Sequence, residues 1–310
     1  MKKISNVTYL IDSISELHEL LRLPKSEHPL MSIVSFENIK GIPPEVKLKF
    51  AMNFYVVAIK KGSHCKMKHG NNYYDFDSGV MTFIAPGQVL NWEITDTTPS
   101  TGWLLIIHPD FIRGYGLGQN IKQYGFFHYT LHEALQLSEK EEKMMQKIMK
   151  NIKQEYSANM DVFSQDVMIS HIELLLNYSN RYYNRQFITR KQVSHGLIVR
   201  LTDVLSGCIN SKKLKEHGLP TVAYVSDQLN LSPNYLADML KQMTGLTTQQ
   251  HIHNKLIEVA KDMLTSTDLS VSEIAYSLGF EFPQSFSKLF KQKTNLSPVG
   301  FRNSFLSLLG

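Results

Sequence analysis

Between Thr221 and Arg302 the chain repeats itself at a spacing of about fifty residues, and this limits what the stretch can fold into more than any other feature. Val222, Val225, Ser226 and Leu229 fall on Val271, Ile274, Ala275 and Leu278 at an offset of 49. Beyond the turn, Pro233, Asn234, Leu236, Met239, Leu240 and Lys241 fall on Pro283, Gln284, Phe286, Leu289, Phe290 and Lys291 at an offset of 50. The second turn therefore holds one more residue than the first. In both copies the apolar residues recur at steps of three and four, the period of an amphipathic helix and not of a strand. Ser232 and Pro233 supply an N-cap and a first helical residue in one copy; in the other, Gly279 closes one helix and Pro283 opens the next. Two helices across a tight turn form a helix-turn-helix unit, whose second helix is built to enter the major groove of DNA.

Particular residues add a family resemblance. Ser232, Tyr235 and Leu236 are followed by Lys241, Thr244 and Gly245; Ile274 and Ala275 by Gly279 and Phe280. Gln284, Ser285, Phe286 and Ser287 then precede Leu289, Phe290 and Lys291, and Leu296, Ser297 and Pro298 precede Phe301 and Arg302. Over roughly the last third of the chain these motifs resemble the double helix-turn-helix domain of the AraC/XylS transcription regulators. The resemblance implies a transcription regulator, more often an activator than a repressor, that answers to a small-molecule effector. It also implies double-stranded DNA, RNA polymerase and a second copy of the chain as partners, and a bacterial cytoplasm with its nucleoid as the setting.

The helical period sorts the residues of each second helix. Leu236, Met239, Leu240, Phe286, Leu289 and Phe290 face the core, which leaves Asn234, Ala237, Asp238 and Lys241 outward in the first copy and Gln284, Ser285, Lys288 and Lys291 outward in the second. Asn and Gln suit adenine, Ser adapts to several bases, and Lys serves guanine or phosphate. Asp238 either accepts from a cytosine amino group or balances Lys241. Gln249 to Leu264 reads as a helix of about 24 Å at the standard rise. With the width of each unit added, it spaces two reading helices by about one turn of DNA, roughly 34 Å. His251 and His253, two apart within it, face different sides and make a poor metal pair.

Net charge decides little. From Ser194 onward there are eleven Lys and Arg against nine Asp and Glu, so charge alone would not single out this half. At 310 residues, 43% apolar and 20% charged, two globular domains are expected.

Residues 1–135 read differently. A short helix through Ile11, Ile14, Leu17, Leu20 and Leu21 precedes candidate strands at Met31–Phe36, Phe54–Lys60, Cys65–Lys68, Asn72–Phe76, Val80–Ala85, Asn91–Thr95 and Gly102–Ile107. Such spacing suggests a small antiparallel barrel or sandwich. Phe83-Ile84-Ala85-Pro86-Gly87-Gln88 resembles a strand-to-turn segment of the cupin-like β-barrel that AraC-like regulators often carry, and this implies an effector-binding sensor. Tyr55, Phe83, Trp92 and Trp103 either line its pocket or fill its core. A cupin-type metalloenzyme would show a His-x-His pair with a Glu and a later His, whereas His64 and His69 are five apart, so no metal, cofactor or enzymatic activity is expected.

Residues 136–185 return to helix, with a Ser138 to Glu141 capping box and apolar faces through Met144, Met145, Ile148, Met149 and Ile152, and then Val162, Val167, Ile169, Ile172, Leu175 and Leu176. This segment either pairs with a second copy or packs on its own barrel. Polar, basic residues 186–195 read as a linker to an all-α domain at 196–310.

The expected architecture is thus multidomain: a cupin-like barrel, a helical dimerisation segment, and two helix-turn-helix units joined by a long helix. Cys65 and Cys208, far apart, suit free thiols in a reducing compartment, and no signal-peptide core or transmembrane run is evident. Two cysteines also fall short of the metal-binding cluster and reactive thiol of a DNA-repair methyltransferase. A constitutive regulator whose barrel serves only dimerisation stays open.

Overall fold

A computed structural model describes residues 9–39, 48–61, 67–69, 72–74, 79–92, 101–189, 191–210, 214 and 218–309. The chain divides into two compact units, Met1–Gln186 and Phe187–Gly310.

In the first unit β1 (Tyr9–Ile11), α1 (Ile14–Leu20), β2 (Met31–Ser35), β3 (Leu48–Met52), β4 (Tyr55–Lys61), β5 (Met67–His69) and β6 (Asn72–Tyr74) come in order. They are followed by β7 (Val80–Ile84), β8 (Val89–Trp92), β9 (Thr101–Ile107), α2 (Gly116–Asn120), β10 (Leu135–Gln136), α3 (Glu139–Tyr156) and α4 (Ser164–Thr189). The central strand β4 is buried from Tyr55 to Ile59, which is why its sequence is a continuous apolar run and not an alternation. It pairs with β7 on one side, Val57 opposite Phe83, and with β9 on the other, Val57 opposite Leu105. Gly102, at φ +125°, lets β9 come so close to the Ile59 carbonyl that a Cβ there would collide with it.

The strands form a five-stranded sheet ordered β10-β7-β4-β9-β2, a three-stranded sheet ordered β1-β3-β8, and the hairpin β5-β6. Among the described residues no ladder joins the larger two sheets, so the closed cupin-like barrel expected from the sequence is replaced by an open, sheet-rich domain. Closure needs both edge strands paired. Here β10 is two residues long, and among the described residues β2 pairs with β9 alone, with α3 packed beside it. Ile14 and Leu17 of α1, with Leu21 just after it, are buried with Phe50, Phe54 and Ile106.

The capping box at the start of α3 is present, with Ser138 Oγ accepting from Glu141 N at 3.5 Å and Ser138 N donating to Glu141 Oε2 at 2.8 Å. Met145, Ile148, Met149 and Ile152 face inward as the period predicts, whereas Met144 is exposed. In α4, Ile169, Ile172, Leu175 and Leu176 are buried, while Val167 and Leu174 face solvent, as do Val162 and Phe163 just before the helix. Arg185 on α4 ties back to Glu141 at 2.8 Å.

The stretch read as a linker is helical where described: α4 runs to Thr189 and α5 (Lys191–Asn210) begins two residues later. Arg, Gln and Lys are good helix formers, so a polar sequence without periodicity does not forbid helix. Leu197, Leu201, Leu205 and Ile209 form the buried face of α5. The second unit continues with α6 (Val222–Gln228), α7 (Pro233–Thr244), α8 (Thr248–Ser266), α9 (Val271–Ser277), α10 (Pro283–Thr294) and α11 (Pro298–Leu309). Among the described residues no helix is long and apolar enough to cross a membrane.

Candidate nucleic-acid interface

Most helices of the two repeated copies start and stop where the sequence provides a cap. Thr221 Oγ1 accepts from Tyr224 N at 3.1 Å to open α6, and Ser232 Oγ accepts from Tyr235 N at 3.2 Å to open α7. Asn230, at φ +54°, turns the chain between them, with its N–H on the Asp227 carbonyl. Gly245, at φ +74°, closes α7 through its N–H to the Lys241 carbonyl at 3.0 Å. In the second copy Ser270 and Glu273 form a capping box ahead of α9, and Glu273's hydrogen bonds to Ser270 hold its carboxyl below the usual carboxylate range. Gly279, at φ +84°, makes the turn, and Asn295, at φ +61°, closes α10 with its N–H on the Lys291 carbonyl at 2.9 Å.

The apolar faces meet as the spacing requires. Leu236, Met239 and Leu240 of α7 are buried, and so are Phe286 and Phe290 of α10, with ring centroids 5.7 Å apart. Leu289 is only half-buried. Phe290 also meets the edge of Phe301 on α11 at 5.5 Å. Arg302 serves the fold: its guanidinium donates to the Leu264 and Leu269 carbonyls at 3.0 and 2.6 Å, tying α11 to the end of α8.

Asn234, Asp238 and Lys241 on α7 are exposed and Ala237 is half-buried; Gln284, Ser285, Lys288 and Lys291 on α10 are all exposed. Lys241 is partly committed, since its ammonium donates to the Gly245 carbonyl at 3.0 Å. By contrast, α10 carries Lys288, Lys291 and Lys293 with no acidic residue along its length. Phe282, at the start of α10, lies outside the helical period that sorts the other positions; it is 56% exposed.

The spacer helix α8 has nineteen residues, about 28 Å at the standard rise. His251 Nε2 lies 2.8 Å from Thr244 Oγ1 and His253 Nε2 lies 2.8 Å from Gln249 Nε2. Burial pushes both imidazoles below the usual histidine value, and for His253 the Lys293 ammonium adds to the shift. Among the described residues no group of three or more His, Cys, Asp or Glu is placed to hold a metal ion.

Of the effector candidates, Tyr55 and Phe83 are buried core rings. Tyr55 meets Phe127 edge-on at 5.0 Å, and Phe83 lies 4.4 Å from Phe126 and 6.1 Å from Tyr183. Trp103 on β9 is half-buried. The Trp92 side chain and His64 lie outside the described residues.

A model of a helix-turn-helix domain matches residues 225–304, from within α6 to within α11. Residues 225–304 of the chain are thus a helix-turn-helix domain. Among curated relatives, the HTH-type transcriptional activator RhaS of Salmonella schwarzengrund is 34% identical over 116 residues, covering 34% of this chain and 42% of that one. RhaS of Escherichia coli K12 is 40% identical over 78 residues, 25% of this chain and 28% of that one. The carboxy-terminal domain of the response regulator yesN of Fusobacterium nucleatum aligns at 30% identity and a TM-score of 0.28, over 32% of this chain and 95% of that domain. The chain thus spans less than half the length of the curated relatives it matches, and the helix-turn-helix match falls within the second unit.

Proposed function

We propose that this protein is a sequence-specific, DNA-binding transcription regulator, and that it activates. One observation carries the reading. In both copies the second helix buries its apolar face and exposes its polar one: Phe286 and Phe290 are fully buried while Gln284, Ser285, Lys288 and Lys291 on the same helix are exposed. Such a helix, seated on a core with its polar face turned outward, is what groove reading requires. Asn234, Ala237, Asp238 and Lys241 form the weaker first reader, and the lysines of α10 give the second more phosphate contacts. Two readers spaced by α8 would take two successive segments of major groove. The activating sense is drawn from the RhaS relatives, which are named activators.

Dimerisation supports a longer, repeated site. Val167 and Leu174 recur at helical spacing on the solvent side of α4, with Val162 and Phe163 exposed just before it. A second copy of the chain would cover this stripe. A small-molecule effector would act through the first unit, where Trp103 is the place to look first, and would have to favour one DNA-binding arrangement over another.

Selection from a random duplex library with the full chain tests the reading. Two short blocks about one helical turn apart support it; uniform, sequence-indifferent binding rejects it.

A further inference from the structure

In the repeat, Ser232 and Phe282 are the same position, one residue before Pro233 and Pro283 at the offset of 50. Ser232 performs the task expected there, accepting from Tyr235 N at 3.2 Å while itself buried. Phe282 does not: it occupies the N-cap of α10 with extended backbone, and its side chain makes no cap hydrogen bond. Replacing a capping hydroxyl costs helix stability, and leaving an aromatic ring 56% exposed forgoes its burial as well. Folding gains from neither. The turn itself is longer, since four residues separate α6 from α7 and five separate α9 from α10. The added residue carries the ring clear of the core that Phe280, Phe286 and Phe290 fill.

The position is informative because the first residues of a groove-reading helix are those that meet base edges. Phe282 immediately precedes Pro283, Gln284 and Ser285, the last two exposed, and its carbonyl accepts from Ser285 N at 3.0 Å. An uncharged ring beside two polar readers offers van der Waals contact and no hydrogen bond. In the major groove one group is complementary to that, the C5-methyl of thymine. We infer that Phe282 is a specificity-determining residue that reads a thymine methyl next to the base pair read by Gln284 and Ser285. This rests on the DNA-binding reading above.

The test starts from the duplex that the full-length wild-type chain enriches from a random library. Each thymine in the block read by α10 is replaced in turn by uracil, which removes only the methyl. One replacement should weaken wild-type binding by about fourfold, the worth of one buried methyl. Phe282→Ser should bind the thymine and uracil duplexes equally and lose the thymine preference in a fresh selection. Its melting temperature should hold or rise, because the capping hydroxyl of the first copy is restored. Phe282→Leu, apolar but smaller, should keep part of the discrimination. A wild type that enriches no sequence overturns the DNA-binding reading and this inference with it. If a site is enriched but Phe282→Ser keeps the same thymine preference and uracil response, the inference alone is overturned. It is overturned equally if Phe282→Ser leaves DNA binding unchanged and lowers only transcription from the site, since the ring would then meet a protein.

Discussion

Gly279 stands with its Cα against the backbone of Gly218: a Cβ built on Gly279 would lie 3.0 Å from the Gly218 carbonyl carbon and 3.1 Å from the Leu214 carbonyl oxygen. Its φ of +84° adds a second reason for glycine. Gly245 has a similar φ, +74°, but open space around it, and the equivalent residue of the second copy, Asn295, takes the same conformation with a side chain. Gly279→Ala should therefore destabilise the second unit by more than the roughly 1 to 2 kcal/mol of left-handed backbone alone. Gly245→Asn should be close to neutral, because Asn tolerates that region. Urea denaturation of both variants checks the order, and equal losses would show that the close approach to Gly218 contributes nothing.

Thr248 opens α8 with its hydroxyl buried and without a hydrogen-bond partner. Its counterpart at the offset of 50 is Pro298, which carries no hydroxyl at the same helical position and is also buried. A buried hydroxyl without a partner costs about 1 to 3 kcal/mol. Thr248→Val keeps the branched shape and removes that polar group, so it should raise the unfolding free energy by about 1 kcal/mol. A fall in melting temperature would mean that the hydroxyl is satisfied in solution.

That correspondence is within reach of the sequence. Thr247 and Ser297 are both caps, Thr244 and Thr294 both bond back to the carbonyl four residues earlier, and the repeat extends into a third helix in each copy. The helical half is legible because caps, turns and apolar period are local, and the outward residues of α7 and α10 follow from the period directly. Phe282 escapes because the period sorts helical residues and says nothing of the turn before them. The sheets are legible only in part. Most strands show in the local pattern, but β1 pairs in parallel with β3, Tyr9 opposite Phe50, and no local pattern encodes a partner forty-one residues away. The same absence of local information hides the open edges, so alternation alone suggests closure.

Lys293 adds to the depression of His253, and burial lowers both His253 and His251. A histidine whose folded pKa lies below its unfolded value leaves the unfolded state holding more protons in acid. Its contribution to stability is therefore complete above the unfolded value of 6.5 and is lost as the pH falls from there through the lowered folded values. The second unit should lose stability over that window, before its carboxylates titrate. Lys293→Met should move the His253 titration, followed by NMR, toward 6.5 and leave His251 in place. A His253 shift unmoved by the substitution would leave burial as its whole cause.

On the proposed reading, Lys288 would position α10 on the DNA and Gln284 would read a base pair. If Lys288 contacts phosphate, Lys288→Ala should weaken binding on every sequence and lower the slope of log affinity against log salt by about one. Gln284→Ala should keep the slope and relax preference at one base pair, by roughly 1 to 3 kcal/mol. Binding titrations across a salt series on the selected site and on single-base variants distinguish them; an unchanged slope for Lys288→Ala would remove it from the phosphate contacts.

Asp166 and Arg181 bracket Leu174 on the exposed side of α4, seven or eight residues to either side. If two copies pack this stripe antiparallel about Leu174, Asp166 of each faces Arg181 of the other, and the interface is self-complementary in charge as well as apolar at its centre. Asp166 already accepts from Tyr115 Oη at 2.7 Å, which holds its carboxylate at the surface without exhausting its acceptors. Leu174→Glu places like charges at the centre of the pair and should shift the full chain toward monomer in sedimentation at micromolar concentration. Asp166→Arg alone should weaken the dimer, and Asp166→Arg with Arg181→Asp should restore it. Restoration by the swap identifies this register specifically; a dimer indifferent to all three changes would place the contact elsewhere and leave the stripe on α4 to another role.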